Sequence, residues 1–422
     1  MHFNFNYLKE ALNNNYSLRD ILILFTKWCG IAILVGTVIG SVSALFLYLL
    51  ELVTEIRIEH SYLLYGLPIG GLLIGLLYHY YGGDANKGNN LIIDEYHTPE
   101  KTIPFKMFPL VLLGTLTTHL FGGSAGREGT AVQMGGTIAD QFTKYFKLSP
   151  DNKKTLLLMG VSAGFASVFG TPIAGIFFAF ELILLKNFRP KAVLPVIITA
   201  YISHYVCIAW GIHHTIYVVD NLPQYSFKYI GSLLIAGILF GLAAFLFIHS
   251  TKLWNTLFSK TISYPPLRPF VGAILFIVLI FLIGSSDYLG LGVPMIVNSF
   301  THQMDWNVFL LKILFTSLTL GAGFKGGEVT PLFFIGATLG SFLSIYTGIP
   351  VGLMAALGFV AVFAGATKTP IACTFMGIEL FGIEYAIFLA LVCFTAYFTS
   401  GKGSVYSSQF KKRIKTSDTK LN

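Results

Sequence analysis

An arginine and a glutamate stand side by side among glycines in Gly122-Gly123-Ser124-Ala125-Gly126-Arg127-Glu128-Gly129-Thr130. Apolar stretches flank them, residues 105–121 before and 131–142 after. Ionisable residues at membrane depth are costly and mark a pathway or a buried pair. The glycines leave backbone N–H groups bare, and the apolar run that follows reads as a helix beginning at the motif. A helix N-terminus with free N–H groups favours an anion. Glu128 is a negative side chain in that same place. As a tethered competitor it would hold the anion position while charged and leave it when protonated, linking anion movement to protons. The plainer alternative is a structural contact of Glu128 with Arg127 or with the helix start. The flanking glycines, and an echo of the motif further on, favour the competitor.

That echo is Gly323-Phe324-Lys325-Gly326-Gly327-Glu328-Val329-Thr330-Pro331. Gly126, Glu128 and Thr130 match Gly326, Glu328 and Thr330 at a constant offset. A second pair recurs at almost the same spacing: Thr171-Pro172-Ile173-Ala174 before Glu181-Leu182, and Thr369-Pro370-Ile371-Ala372 before Glu379-Leu380. Two paired motifs at nearly one spacing argue for an internal duplication. If the halves are inverted, helix starts after Thr130 and Pro331 converge near mid-membrane and favour one anion between them. Pro331 suits a first helical turn, where its missing N–H costs nothing. Glu328 and Lys325 admit two readings, a buried salt bridge at the helix start or a carboxylate tuning the anion site. Thr330 offers a hydroxyl to an anion or a simple cap. Glu181 and Glu379 read as structural groups at helix ends.

Composition places these motifs in a membrane. Of 422 residues 54% are hydrophobic and only 11% charged, against about 25% charged in soluble proteins. Mean hydropathy is +0.70. Residues 31–50 and 230–248 are each near or above the ~20 apolar residues that span a bilayer. The net charge of +8 falls in short loops and at the two ends, as positive-inside topology requires, and not in a nucleic-acid patch. The isolated cysteines Cys29, Cys207, Cys373 and Cys393 have neither metal spacing nor a disulfide pattern.

The polar start, with no signal-peptide cleavage pattern, reads as a cytoplasmic segment, residues 1–27, ending in a short amphipathic helix over 18–28. A first membrane repeat occupies 28–215 and a second 228–408, joined by a polar connection. A basic tail, 409–422, is too short for a regulatory domain. Several segments are too short to cross perpendicular to the bilayer; glycine- and proline-broken segments in matching places of two halves point to a midplane site. The break over residues 82–90 reads as a re-entrant or a surface loop. Gly160, Ala163 and Gly164 suit close helix packing. The pattern G-x-S-x-G occurs at Ser124 and at Ser162, but the strand–turn–helix and the His/Asp pair of a hydrolase are not visible.

Taken together, these motifs resemble the CLC family of anion channels and proton-coupled antiporters. Gly126-Arg127-Glu128-Gly129-Thr130 is similar to the family's GREGP, with threonine for proline. Gly170-Thr171-Pro172-Ile173-Ala174-Gly175 resembles GTPLAG, and Gly326-Gly327-Glu328-Val329-Thr330-Pro331 resembles GGxFxP. Gly88-Asn89-Asn90 stands where the family has GSGIP, and Ser404-Val405-Tyr406-Ser407 matches its final tyrosine. The resemblance covers about residues 28–408. It implies an all-α polytopic CLC fold, two inverted-topology repeats with short, tilted and re-entrant helices, and a homodimer with one pathway per subunit. It implies Glu128 as gate and proton carrier and Tyr406 as an anion-coordinating hydroxyl, joined by backbone N–H groups near Gly129, Val329 and Asn89.

The departures resemble the fluoride-exporting bacterial branch. Asn89 replaces the chloride-selecting serine, and the family's inner proton-transfer glutamate falls at Leu182. In that branch the positions of Glu328 and Thr330 are tied to fluoride and proton handling. An amide and a hydroxyl suit a small, strongly hydrated anion whose dehydration strong hydrogen bonds must offset. The resulting expectation is a fluoride/proton antiporter, not an enzyme, with no cofactor and no metal. It would work in the bacterial inner membrane with both termini cytoplasmic. A chloride channel or chloride/proton antiporter of the same fold is the alternative, and an intramembrane serine hydrolase a remote one.

Overall fold

The structure is a computed structural model that describes residues 18–183, 188–219 and 227–410. Most of the N-terminal segment, the centre of the polar connection and nearly all of the basic tail lie outside the described residues. Among the described residues the chain is helical, with one isolated β-bridge. Helix α1 is Leu18–Glu59, α2 Leu67–Tyr81, α3 Asn89–His97, α4 Met107–Leu120, α5 Glu128–Tyr145, α6 Pro150–Phe169, α7 Pro172–Leu182 and α8 Pro190–Ala209. The second half holds α9 Phe227–Thr261, α10 Leu267–Ile283, α11 Val293–Ser299, α12 Val308–Ala322, α13 Val329–Thr347, α14 Val351–Thr367, α15 Pro370–Phe381 and α16 Ala386–Thr399. Five helical stretches among the described residues are long and apolar enough to cross a membrane, and several apolar helices are shorter.

The amphipathic start and the first span are one helix, not two. With no proline in α1 and only glycine at position 30 between them, the pattern continues through all 42 residues. At about 1.5 Å per residue α1 is about 63 Å long, roughly twice the hydrocarbon core of a bilayer, so it tilts or protrudes. Residues 82–90 combine both readings of that break. They start as an exposed 3-10 turn, Gly83–Lys87, and Gly88, at φ +56°, then turns the chain inward so that α3 begins at the buried Asn89.

The duplication is visible in the packing. A Cβ on Gly135 would lie 2.3 Å from the Gly160 carbonyl, and one on Gly336 would lie 2.0 Å from that of Gly358. Helices α5 and α6 therefore meet backbone to backbone, as α13 and α14 do, through glycines at matching places in the two halves. Such close approach is how small residues pack helices in a membrane, where lipid gives no hydrophobic gain.

The Thr-Pro helices show how the halves are related. Glu379 accepts hydrogen bonds from the N–H groups of Ile173 (2.9 Å) and Ala174 (2.8 Å). Glu181 accepts them from Ile371 (3.1 Å) and Ala372 (2.7 Å). These are the second and third residues of the helices that begin at Pro172 and Pro370, and N–H groups at those positions have no intrahelical partner. Each helix is thus capped by the glutamate at the far end of its counterpart, and Phe177 stacks on Phe375 between them at 4.4 Å. Equivalent helices that meet start to end are antiparallel, the relation that inverted repeats require.

Glu181 and Glu379 are accordingly structural, and their loss has a calculable effect. Glu379→Ala orphans two N–H groups at roughly 1–3 kcal/mol each. A clear fall in the thermal unfolding midpoint of the detergent-solubilised protein is expected, and an unchanged midpoint would remove the capping role.

Candidate functional site

The two glycine motifs meet back to back. Gly126 and Gly327 form an antiparallel bridge, with Gly126 N–H donating to the Gly327 carbonyl at 2.6 Å and Gly327 N–H to that of Gly126 at 2.7 Å. The bridge brings the N-termini of α5 and α13 together. Both helices start three residues earlier than the sequence suggests: Glu128 is the first residue of α5, and Val329, after the N-cap Glu328, is the first of α13. Pro331 is then third in its helix, still in the turn whose N–H groups have no helical partner.

The Glu128 side chain is 1% exposed and reaches across to the other repeat. Its carboxylate accepts the Thr330 N–H at 3.1 Å, the Thr330 hydroxyl, and its own neighbour's N–H, that of Arg127, at 3.1 Å. The Arg127 guanidinium stands 3.6 Å away. A negative group therefore occupies the N-terminus of α13, where N–H dipoles favour an anion. The structural contact foreseen for Glu128 is present, and it is made with the N-terminus of the opposing helix as well as with Arg127. Gly126 is confined to glycine by the bridge, because a Cβ would lie 2.9 Å from the Gly327 carbonyl oxygen and 2.9 Å from the Pro331 ring.

Around Gly129 the remaining polar groups gather. A Cβ on Gly129 would meet the Asn89 amide nitrogen at 3.3 Å and the Glu328 carboxylate at 3.5 Å. Asn89 is buried and its amide oxygen has no hydrogen-bond partner. The Glu328 carboxylate thus lies near the start of α5. Val329 is buried as the first residue of α13. Tyr406 is buried after the last helix, its ring edge-on to Phe178 of α7. The site offers amide, hydroxyl and carboxylate groups and helix ends.

Two alternatives left open by the sequence are decided. Lys325 does not pair with Glu328; its ammonium rests 4.0 Å from the centre of the Tyr78 ring, a cation–π contact that holds the charge without a carboxylate. The hydrolase pattern has no catalytic setting. The Ser124 hydroxyl bonds that of Thr316 at 2.8 Å, and Ser162 lies buried inside α6 with no hydrogen-bond partner.

Sequence reasoning missed the support from α4. Thr115 bonds the Thr130 hydroxyl at 2.7 Å, and His119 Nε2 lies 3.4 Å from the Gly126 carbonyl. The signal was present: Thr115 and His119 are four residues apart, on one face of an otherwise apolar helix.

With this geometry in place, comparison with known proteins is decisive. The sequence pattern of the family described as "Voltage gated chloride channel" matches residues 70–401. The chain belongs to the CLC family. A "Chloride/fluoride channel protein" of Pseudomonas syringae pv. tomato is 45% identical over 399 residues, covering 92% of this chain and 88% of that relative. The crystal structure of a CLC-type fluoride/proton antiporter superposes with a TM-score of 0.88 at 35% identity, covering 94% of this chain and 99% of the other. A slow cyanobacterial Cl-/H+ antiporter shares the fold at a TM-score of 0.77 and 19% identity, covering 93% and 99%. The protein is an all-α polytopic CLC membrane protein that transports anions.

Proposed function

We propose that this CLC protein exchanges fluoride for protons and so expels fluoride from the cytoplasm. The observation that carries this reading is the Glu128 carboxylate seated on the N-terminus of α13, bonded by Thr330. Charged, it occupies the anion's place; protonated, it loses most of its hold on the N–H dipoles and yields. Fluoride is favoured over chloride by the company at the site. Asn89 stands where a chloride-selecting serine is expected, and Glu328 and Thr330 are the branch's matched residues. The relatives described as fluoride proteins cover nearly the whole chain. Leu182 is buried and carries no proton, so the proton step falls to the paired motifs, with Glu128 as carrier and Glu328 beside it. Gly129, Val329 and Tyr406 complete the anion site. The reading extends to a homodimer in a bacterial inner membrane with cytoplasmic termini.

The test is efflux from proteoliposomes, fluoride against chloride, with and without a pH gradient. Fluoride efflux that moves protons in step, with chloride nearly excluded, is expected. Comparable chloride flux would place the protein with chloride carriers instead. Within the same assay Asn89→Ser is expected to raise chloride flux relative to fluoride by about tenfold, since the amide donor near Gly129 is lost. An unchanged ratio would take Asn89 out of the filter.

A further inference from the structure

The candidate filter is assembled from parts far apart in sequence. Asn89 opens α3 in the first repeat, and Tyr406 lies beyond the last helix of the second. The residues next to them are joined directly: Asn90 Oδ1 accepts the N–H of Ser408 at 2.8 Å, across 318 residues. Each end of this bond is short and stiff. Leu91 N–H bonds the Gly88 carbonyl at 3.0 Å, so Asn89 and Asn90 sit within one turn. Gln409 N–H bonds the Tyr406 carbonyl at 3.1 Å, so Tyr406 and Ser408 share another. The Tyr406 segment is held in turn by Val405 N–H to the Ala366 carbonyl at 3.0 Å.

We propose that Asn90 is a positioning residue that fixes the spacing between Asn89 and Tyr406, and thereby sets the anion preference of the site. The proposal rests on the fluoride reading above. A site discriminates a small anion from a larger one only if its donors cannot spread to fit the larger. Both donors here lie at the ends of short elements, and the Asn90–Ser408 bond is what ties one to the other. Nothing in this role requires Asn90 to touch the anion or the proton.

The experiment compares wild type, Asn90→Leu and Asn90→Gln in proteoliposomes, measuring fluoride, chloride and proton flux on the same vesicles. Leucine keeps the size and removes the acceptor; glutamine keeps a carbonyl on a longer arm. In Asn90→Leu the fluoride-to-chloride flux ratio is expected to fall about tenfold, which is about 1.4 kcal/mol and within the range of one hydrogen bond. Proton coupling to fluoride persists, and Asn90→Gln recovers part of the ratio. A variant that is merely less well folded lowers both anion fluxes together and leaves the ratio unmoved; that result overturns the proposal. Should Asn90→Leu fail to reconstitute, Asn90→Ser, whose hydroxyl is too short to reach Ser408, replaces it with the same expected fall. A wild type that carries both anions equally overturns the fluoride reading and this proposal together. A selective wild type with an unmoved variant overturns this one alone.

Discussion

Vesicles carrying Glu128→Gln are expected to show no proton movement coupled to fluoride. The carboxylate gathers the Thr330 N–H and hydroxyl and the Arg127 N–H. Hydrogen bonds to a charged group contribute about 1.5–3 kcal/mol each, so the ionised side chain is held firmly on α13. Protonation removes the charge that makes those bonds strong. The neutral acid is therefore free to leave, and the proton leaves with it. Glutamine matches the acid in shape but cannot take up or release a proton. With its one amide oxygen on either Thr330 donor, its NH2 group lies against the other. Proton flux should fall to the level of protein-free vesicles, while anion movement, if it persists, follows the anion gradient alone. A pH electrode and a fluoride electrode on one sample read both. Fluoride driven uphill by a pH gradient in this variant would end the role of Glu128 as proton carrier.

The parts of the site that the sequence made legible are those carried by short motifs. Gly126-Arg127-Glu128 and Gly327-Glu328 announce themselves because charges and glycines are conspicuous in an apolar chain. Their duplication fixes which segments must face each other. What could not be read is how side chains cross between repeats. Glu181 and Glu379 look like helix-end residues, and from sequence each should serve its own helix. Only the antiparallel meeting of α7 and α15 sends each to the other's N-terminus. Lys325 fails for the same reason. Its spacing to Glu328 suggests a local pair, but α2 passes close enough for Tyr78 to take the cation. Helix α3 was hidden because residues 82–90 are polar, and an inward turn at Gly88 depends on a backbone angle, not on hydropathy.

The same crossing logic separates two kinds of helix end in this fold. At α7 and α15 the donors are closed by carboxylates that accept two N–H groups each and come from the far end of the counterpart helix. At α13 the closing carboxylate sits 3.6 Å from an arginine, and a second carboxylate, Glu328, lies near Gly129 at the start of α5. The N-termini of α7 and α15 are thus closed by carboxylates from the opposite repeat, and the proposed anion path is assigned to the α5 and α13 pair instead.

Gly327→Ala tests whether that pair is where the anion passes. Gly327 packs against the start of α5, and a Cβ there would lie 2.7 Å from the Gly129 nitrogen, 3.1 Å from that of Glu128 and 3.3 Å from that of Arg127. These are backbone atoms that cannot rotate aside, so the helix start must shift and the bridge to Gly126 must stretch. The change is otherwise mild, because Gly327 is not among the glycines with a left-handed backbone. Donors to a charged group contribute about 1.5–3 kcal/mol each, and losing access to one or two lowers transport by roughly a hundredfold. Gly231→Ala in α9 is the control: its Cβ meets nothing within 4 Å, and alanine favours a helix by up to about 1 kcal/mol. Both variants should elute as folded protein, with fluoride flux lost in the first and kept in the second. If Gly327→Ala retained half of the wild-type flux, the anion could not be passing over the N-terminus of α5, and the assignment of Gly129 and Asn89 to its path would fall with it.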